Sequence, residues 1–354
     1  MEARLHLKGL NGLRAIAAIG VVIAHTTSAD FHLNGILPVG LAHYSVTIFF
    51  TLSGFLITYL LLLEKEQKRI SVKNFYIRRI LRIWPLYFAY LLVACIVLYI
   101  QTPDELPGSL PYYLFLAPNI AAALLVPLHH LWHYWSLGVE EQFYFFWPWL
   151  IKRSKNVLKA IIIFTMVFIF IKLAARYLYL EKGNSIPLMF LTLTRFECMS
   201  IGGIGALLCI KRNQFFFKIT THKFTEIACW LCLALVAANR FFVSYFVNHD
   251  IVAVVTVCLI MNLSFNTRPI ISLENRVFDL LGKVSYGIYV IHPLVVLGIR
   301  YWVDQLHWAP VWKYIILYSS VLSLTIIAAW LSYEFFEKRF LMLKDKFSTI
   351  KSSG

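Results

Sequence analysis

Apolar stretches of about twenty residues, the length a helix needs to cross a bilayer's hydrocarbon core, recur along the 354-residue chain, separated by short polar connections. The pattern predicts spans at 10–29, 39–63, 83–101, 130–151, 160–180, 190–210, 224–243, 250–265, 279–299 and 311–333. An eleventh stretch, "PYYLFLAPNIAAALLVPL" at 111–128, is also apolar enough to cross. Counting it as a crossing moves every later basic loop to the other side. With Pro118 and Pro127 inside it, it reads as a re-entrant or interfacial element on the outer side.

Charge gives these spans a direction. The connection 64–82 holds Lys65, Lys68, Arg69, Lys73, Arg78, Arg79 and Arg82, whereas 30–38 and 102–110 hold no Lys or Arg. Cationic loops stay cytoplasmic, so the N-terminus and 64–82 are expected on that side. Lys152, Arg153, Lys155 and Lys159 follow two spans later, then Lys211, Arg212, Lys218 and Lys223, then Arg268 and Arg276, and finally Lys338, Arg339, Lys344, Lys346 and Lys351. Every second loop is basic, which also puts the C-terminus in the cytoplasm. The first apolar stretch runs into Asp30 and His32 rather than a small-residue cleavage site, so it reads as a retained signal anchor.

Composition narrows the class further. The chain is 60% hydrophobic and 14% charged, with a mean hydropathy of +0.70, more apolar than a soluble core of this length needs. The net charge of +15, from 33 Lys and Arg against 18 Asp and Glu, would suit a nucleic-acid binder, but its confinement to short loops excludes that partner. The six cysteines lie in or beside apolar segments and imply neither a disulfide framework nor a metal site. The expected architecture is an all-α polytopic bundle of about ten spans over 1–340, with a short basic tail at 341–354 and no internal repeat.

The polar residues inside the spans carry the chemistry. In "LNGLRAIAAIGVVIAH", Arg14 and His25 are eleven residues apart, which puts them within about 20° on one helix face and about 16 Å apart along the axis. Both could snorkel from helix ends, but intramembrane ionisable groups usually face a cavity or a partner. "FYIRRILRIWPLY" brings Arg78, Arg79 and Arg82 to the mouth of the third span, with Arg79 and Arg82 on one face, in a form suited to bidentate phosphate contacts. The competing reading is a plain positive-inside cluster. In "HHLWHYWSLGVEEQFYFFWPWL", Ser136, Glu140 and Tyr144 follow i, i+4, i+8, and Glu141 lies about 100° away. An embedded Glu140 needs a partner, either His25 and Arg14 or a structural Arg195 or Arg240.

Further insertions point to a lined cavity: Ser53 and Gly54 in "FFTLSGFLI", where the glycine allows close backbone approach, Arg195 and Glu197 beside small residues, and Ser285, Tyr286, Tyr289 and His292 in "KVSYGIYVIHPLV". His292, next to Pro293, is as well suited to capping a kink as to touching substrate. "YEFFEKRF" at 333–340 looks like an interfacial anchor.

Taken together and in order, Arg14-x10-His25, "FFTLSGFLI", "RRILRIWPLY", "WSLGVEEQFYFFWP" and "SYGIYVIHPLV" resemble acyltransferase family 3, the bacterial multi-span membrane O-acyltransferases. The resemblance covers residues 11 to about 340. It implies transfer of an acyl group, most often acetyl, from cytosolic acyl-CoA to a hydroxyl of a carbohydrate-containing acceptor. The protein is then expected in the bacterial cytoplasmic membrane, among lipid, with no permanently bound cofactor. By resemblance, His25 is the essential histidine, acting as base or transient acyl carrier, with Arg14 and Glu140 as partners. Arg78, Arg79, Arg82, Tyr87 and Ser53 would hold acyl-CoA. Trp135, Ser136, Glu141, Gln142, Tyr144, Arg195, Ser285, Tyr289 and His292 would line the acceptor cavity. The hydrolase-like domain that often follows in the family is not seen after this core. A proton-coupled transporter or flippase of an anionic or glycolipid substrate is the competing class, and a duplicated half would favour it.

Overall fold

The computed structural model describes residues 7–27, 39–67, 70–101, 104, 106–183, 185–244, 247–306 and 308–348. Asp30, His32, Lys68, Arg69 and Lys351 lie outside them. Among the described residues the chain is helical, without strands: α1 Leu10–Thr26, α2 Val39–Glu66, α3 Val72–Gln101, α4 Leu106–Leu114, α5 Pro118–Ala123, α6 Trp135–Arg153, α7 Val157–Lys182, α8 Ile186–Thr194, α9 Phe196–Ile210, α10 Gln214–Thr220, α11 Lys223–Ala237, α12 Asn248–Phe265, α13 Arg276–Asp304, α14 Pro310–Ser332 and α15 Lys338–Asp345.

Among the described residues seven helical runs are long and apolar enough to cross a membrane, eight if the pair α10 and α11, bent by 58°, is counted as one span. Two expected spans miss that measure for readable reasons. α1 has only 17 residues, and α6 carries Ser136, Glu140, Glu141 and Gln142 in its first half.

Contacts between chain ends of the helices show how the segment 111–128 runs. The Nζ of Lys65, at the end of α2, donates to the carbonyls of Ile151 and Ser154, at the end of α6, at 2.6 Å each. α3 and α6 therefore account for the two passes between these points, and the intervening segment returns to the side it left. It consists of helices of nine and six residues, α4 and α5, far short of a span. Leu116 and Leu125 adopt left-handed backbone at the breaks.

The other basic connections join the same end. Lys65, Lys155 and Lys211 share one pocket. Asn266 donates to the carbonyl of Thr221 at 3.4 Å, Ser264 to that of Lys8 at 3.0 Å, and Arg78 to that of Phe347 at 2.9 Å. The loops that the charge pattern groups together are thus grouped in space.

α2 and α9 form the enclosed centre, whereas α7 and the run of α14 into α15 turn most of their surface outward. Close approach of α2 and α9 depends on Gly54 and Gly202. A Cβ on Gly54 would sit 1.9 Å from the Met199 carbonyl oxygen, and one on Gly202 would sit 2.2 Å from that of Thr51. Beside this contact Trp147, Phe143, Phe164 and Phe196 interlock α6, α7 and α9. Residues 341–348, expected as a tail, are folded: α15 packs on α3.

Because the obstacle at Gly54 is backbone, Gly54→Ala should cost about 1–3 kcal/mol of stability and lower the melting temperature in detergent. Gly298→Ala, where nothing lies within 4 Å, should leave it unchanged or slightly raised. Equal melting temperatures for the two variants would contradict this packing.

Candidate active site

A cavity of about 740 Å³, counted out to its open mouth, lies between α1, α2, α3, α6 and α13. Each wall is one helix face. α2 contributes Val46, Phe49, Phe50, Ser53 and Leu56, spaced as one stripe of a helix. α6 contributes Ser136, Leu137, Glu140 and Tyr144, and α13 contributes Ser285, Tyr286 and Tyr289. Arg14 enters from α1, and Arg79 and Arg82 enter from α3.

Glu140 is the one carboxylate among the lining residues. Ser53 donates to its Oε1 and Tyr144 to its Oε2, both at 2.9 Å, so both oxygens are fixed by neutral donors. The guanidinium of Arg79 lies over the rings of Phe75 and Tyr144, at 5.5 and 5.3 Å, and its Nε is buried without a partner. Among the described residues Arg14, Arg79 and Arg82 make no hydrogen bond or ion pair. Three guanidiniums thus face one space with a single carboxylate, an arrangement that attracts a polyanion.

His25 does not join this cavity. Its Nδ1 lies 2.7 Å from Nε2 of His292, with the rings stacked 5.0 Å apart. His292 Nδ1 lies 2.7 Å from the carbonyl oxygen of Tyr289. A carbonyl only accepts, so His292 Nδ1 carries the proton, and its Nε2 in the neutral ring is an acceptor. His25 Nδ1 must then donate, which leaves His25 Nε2 with a free lone pair, the form a general base needs. His133 completes the group, with its ring 5.3 Å from that of His292 and its Nε2 donating to the Val290 carbonyl at 3.2 Å.

Ser136 and Tyr289 separate the two centres. They line the cavity, their hydroxyls lie 2.5 Å apart, and both donate to the carbonyl of His133, at 3.2 and 2.7 Å. The eleven-residue spacing in α1 does place Arg14 and His25 toward α13, but one face serves two sites.

Several expected residues sit elsewhere. Arg78 is paired with Glu64 at 2.7 Å, at the mouth rather than in the cavity. Tyr87 is fully buried and donates to the Tyr113 carbonyl at 2.8 Å, so it is core and not a donor contact. Glu141 takes the Trp84 indole N–H at 3.0 Å, in surroundings different from those of Glu140, as its 100° offset implies. Gln142 exchanges two hydrogen bonds with Asn119, at 2.9 and 2.8 Å, which tie α5 to α6.

Arg195 belongs to the break between α8 and α9, where its own φ is 41°. It donates to the carbonyls of Thr192 and His43, at 3.0 and 2.9 Å, and covers the buried Trp135 ring at 5.2 Å. The guanidinium ties the break, through the Thr192 carbonyl, to the His43 carbonyl of α2, and neither Arg195 nor Trp135 lines the cavity. Glu140 accordingly has neither Arg195 nor Arg240 as an ion-pair partner.

Sequence reading missed His133, whose signal was its place three residues before Ser136, and the apolar stripe of α2, legible at i, i+3, i+4, i+7.

The acyltransferase domain family matches residues 7–334. The chain belongs to this family, acyltransferase family 3. A Staphylococcus aureus (strain COL) protein, named provisionally as an O-acetyltransferase, is 30% identical over 368 residues, covering 95% of this chain and 57% of the relative. The O-acetyltransferase OatA of S. aureus (strain NCTC 8325 / PS 47) is 26% identical over 374 residues, with the same coverage. The acyltransferase chain therefore spans a little over half the length of the curated relatives it matches. No solved structure matches it.

The hydrogen-bond chain predicts that ¹⁵N shifts of histidine-labelled protein in nanodiscs, assigned by His25→Ala, report His25 protonated on Nδ1 at neutral pH. In His292→Leu the signal should move to a mixture of tautomers. A His25 protonated on Nε2 in the wild type would contradict the chain.

Proposed function

We propose that the protein is a membrane O-acyltransferase that moves an acyl group, most readily acetyl, from cytosolic acyl-CoA to a carbohydrate hydroxyl. The observation that carries this reading is the set of three unpaired guanidiniums, Arg14, Arg79 and Arg82, around one cavity. A charged side chain at the centre of a span costs about 2.5–3.5 kcal/mol on insertion scales, and a polyanionic ligand offsets that cost. CoA supplies three phosphate groups on one end and an uncharged thioester arm on the other. The family, and relatives named as O-acetyltransferases, support the same chemistry.

In this reading the phosphates sit at Arg79 and Arg82, and Arg14 balances charge further in. Glu140, held by Ser53 and Tyr144, keeps the guanidiniums oriented rather than attacking substrate. The pantetheine arm runs between the apolar stripe of α2 and α13 toward Ser136 and Tyr289, and the thioester passes that pair to reach His25. The acceptor, a surface polysaccharide or its lipid-linked precursor, comes from the opposite side, in the bacterial cytoplasmic membrane.

The step balances without a further reactant. His25 Nε2 takes the proton of the acceptor hydroxyl as its oxygen bonds to the thioester carbonyl carbon. The C–S bond then breaks, and the CoA thiolate leaves and is protonated from the imidazolium. His292, accepting from His25 Nδ1, steadies the charge on the ring during transfer, as an orienting acceptor does in other nucleophile-activating sites.

Cells producing the wild-type chain should carry acetyl esters on a surface glycan, seen by mass spectrometry, that are absent from a His25→Ala strain. In purified protein that substitution should lower turnover about 10²–10⁴-fold, the usual weight of a general base. Unchanged glycan acetylation in His25→Ala contradicts the reading. A trapped acetyl-histidine in the absence of acceptor would replace the direct transfer with a two-step one.

A further inference from the structure

Arg79 and Arg82 line two spaces at once. Besides the large cavity they border a smaller one of about 420 Å³, also counted out to its open mouth, whose other walls are Leu60, Glu64, Arg78, Lys344 and Ser348. Four cations meet one carboxylate there, and that carboxylate is engaged with Arg78 at 2.7 Å. Arg78 also donates to the Phe347 carbonyl at 2.9 Å, which clamps the turn after α15 onto α3. Ser348 donates back to the Lys344 carbonyl at 3.3 Å, closing the turn.

Lys344 is the residue this arrangement leaves unexplained. Its side chain is 13% exposed, and its acidic neighbour Asp345 stands 3.8 Å away and is 56% exposed, a solvent-screened pair of little weight. An ammonium is thus held beside two guanidiniums that make no ion pair among the described residues, and the one buried carboxylate of this space is taken by Arg78. Like charges at close quarters raise the free energy of the empty site and are relieved by an anion. Arg forks match phosphate oxygens bidentately and Lys adds a point charge.

We propose that α15 is a strap that brings Lys344 to the nucleotide phosphates of the acyl donor, making the smaller space a phosphate subsite beside the cavity that takes the acyl arm. The inference rests on the acyl-CoA reading above and adds a donor-selecting residue from a segment whose sequence looks like a basic tail. The strap selects donors by their nucleotide: an acyl thioester without it reaches the cavity but gains nothing from Lys344.

The test compares wild type, Lys344→Gln and Lys344→Arg in nanodiscs of neutral lipid, measuring equilibrium binding of CoA and turnover with acetyl-CoA and with acetyl-pantetheine, which lacks the nucleotide. Lys344→Gln should weaken CoA binding and raise KM for acetyl-CoA about tenfold, the weight of one charge-assisted contact. It should leave kcat and the KM for acetyl-pantetheine unchanged, and Lys344→Arg should restore most of the loss. Unaltered CoA binding in Lys344→Gln overturns the subsite. So does an equal loss with both donors, which marks a structural role. If the substitution instead lowers only binding of phosphatidylglycerol vesicles, the site serves a lipid headgroup and the proposal falls. Wild-type protein whose CoA binding depends on Lys344 but which transfers no acetyl from either donor keeps the subsite and removes the transferase reading.

Discussion

Three guanidiniums that share one cavity with a single carboxylate, and make no direct ion pair among the described residues, are the constraint around which the rest is arranged. Arg14 comes from α1 and Arg79 and Arg82 come from α3, and mutual repulsion opposes their meeting. Their approach is held by neutral devices. Ser53 and Tyr144 fix Glu140 among them without cancelling its charge, and aromatic faces take one side of Arg79. Gly54, next to Ser53, lets α9 press against α2 from the opposite side. The bundle thereby holds three guanidiniums together around one carboxylate.

A second constraint is distance. The cationic cavity and the histidine group are separate centres, joined by α13, which carries Ser285 and Tyr289 on the cavity side and His292 one turn further. Ser136 and Tyr289 stand between them, each hydroxyl also bonded to the backbone carbonyl of His133. The cavity and the histidine group are thus linked through two hydroxyls and one helix. Tyr289 touches both centres, its hydroxyl on the cavity side and its backbone carbonyl accepting from His292 Nδ1.

Much of the fold was legible because a bilayer imposes strict rules. Span length, loop charge and the parity of basic connections identified the non-crossing segment at 111–128, and the contact from Lys65 to the end of α6 agrees with them. Helical periodicity grouped Ser136, Glu140 and Tyr144 and set Glu141 apart. Periodicity cannot tell which helices meet, however, so it joined His25 to Glu140 where the structure joins it to His292. The polar character of Arg195 inside an apolar stretch sent it to the cavity, because nothing local announces that a helix breaks at that residue and that its guanidinium binds the Thr192 carbonyl there and the His43 carbonyl of α2. Tyr87 was drawn in by a motif although its face of α3 turns to Tyr113 and Tyr134. The fold of α15 onto α3 was hidden for the opposite reason: a short basic segment reads as a solvated tail until the carboxylate and carbonyl acceptors that hold Arg78 are in view.

The central claim, that the unpaired guanidiniums are the seat of a nucleotide-bearing acyl donor, is tested most directly by cryo-electron microscopy of the protein in nanodiscs with CoA. The account predicts phosphate density within hydrogen-bond reach of Arg79 and Arg82, and a pantetheine arm extending past Glu140 toward Ser136 and Tyr289. CoA density at any other place on the bundle, or a lipid headgroup holding the guanidiniums while CoA is bound, would contradict it.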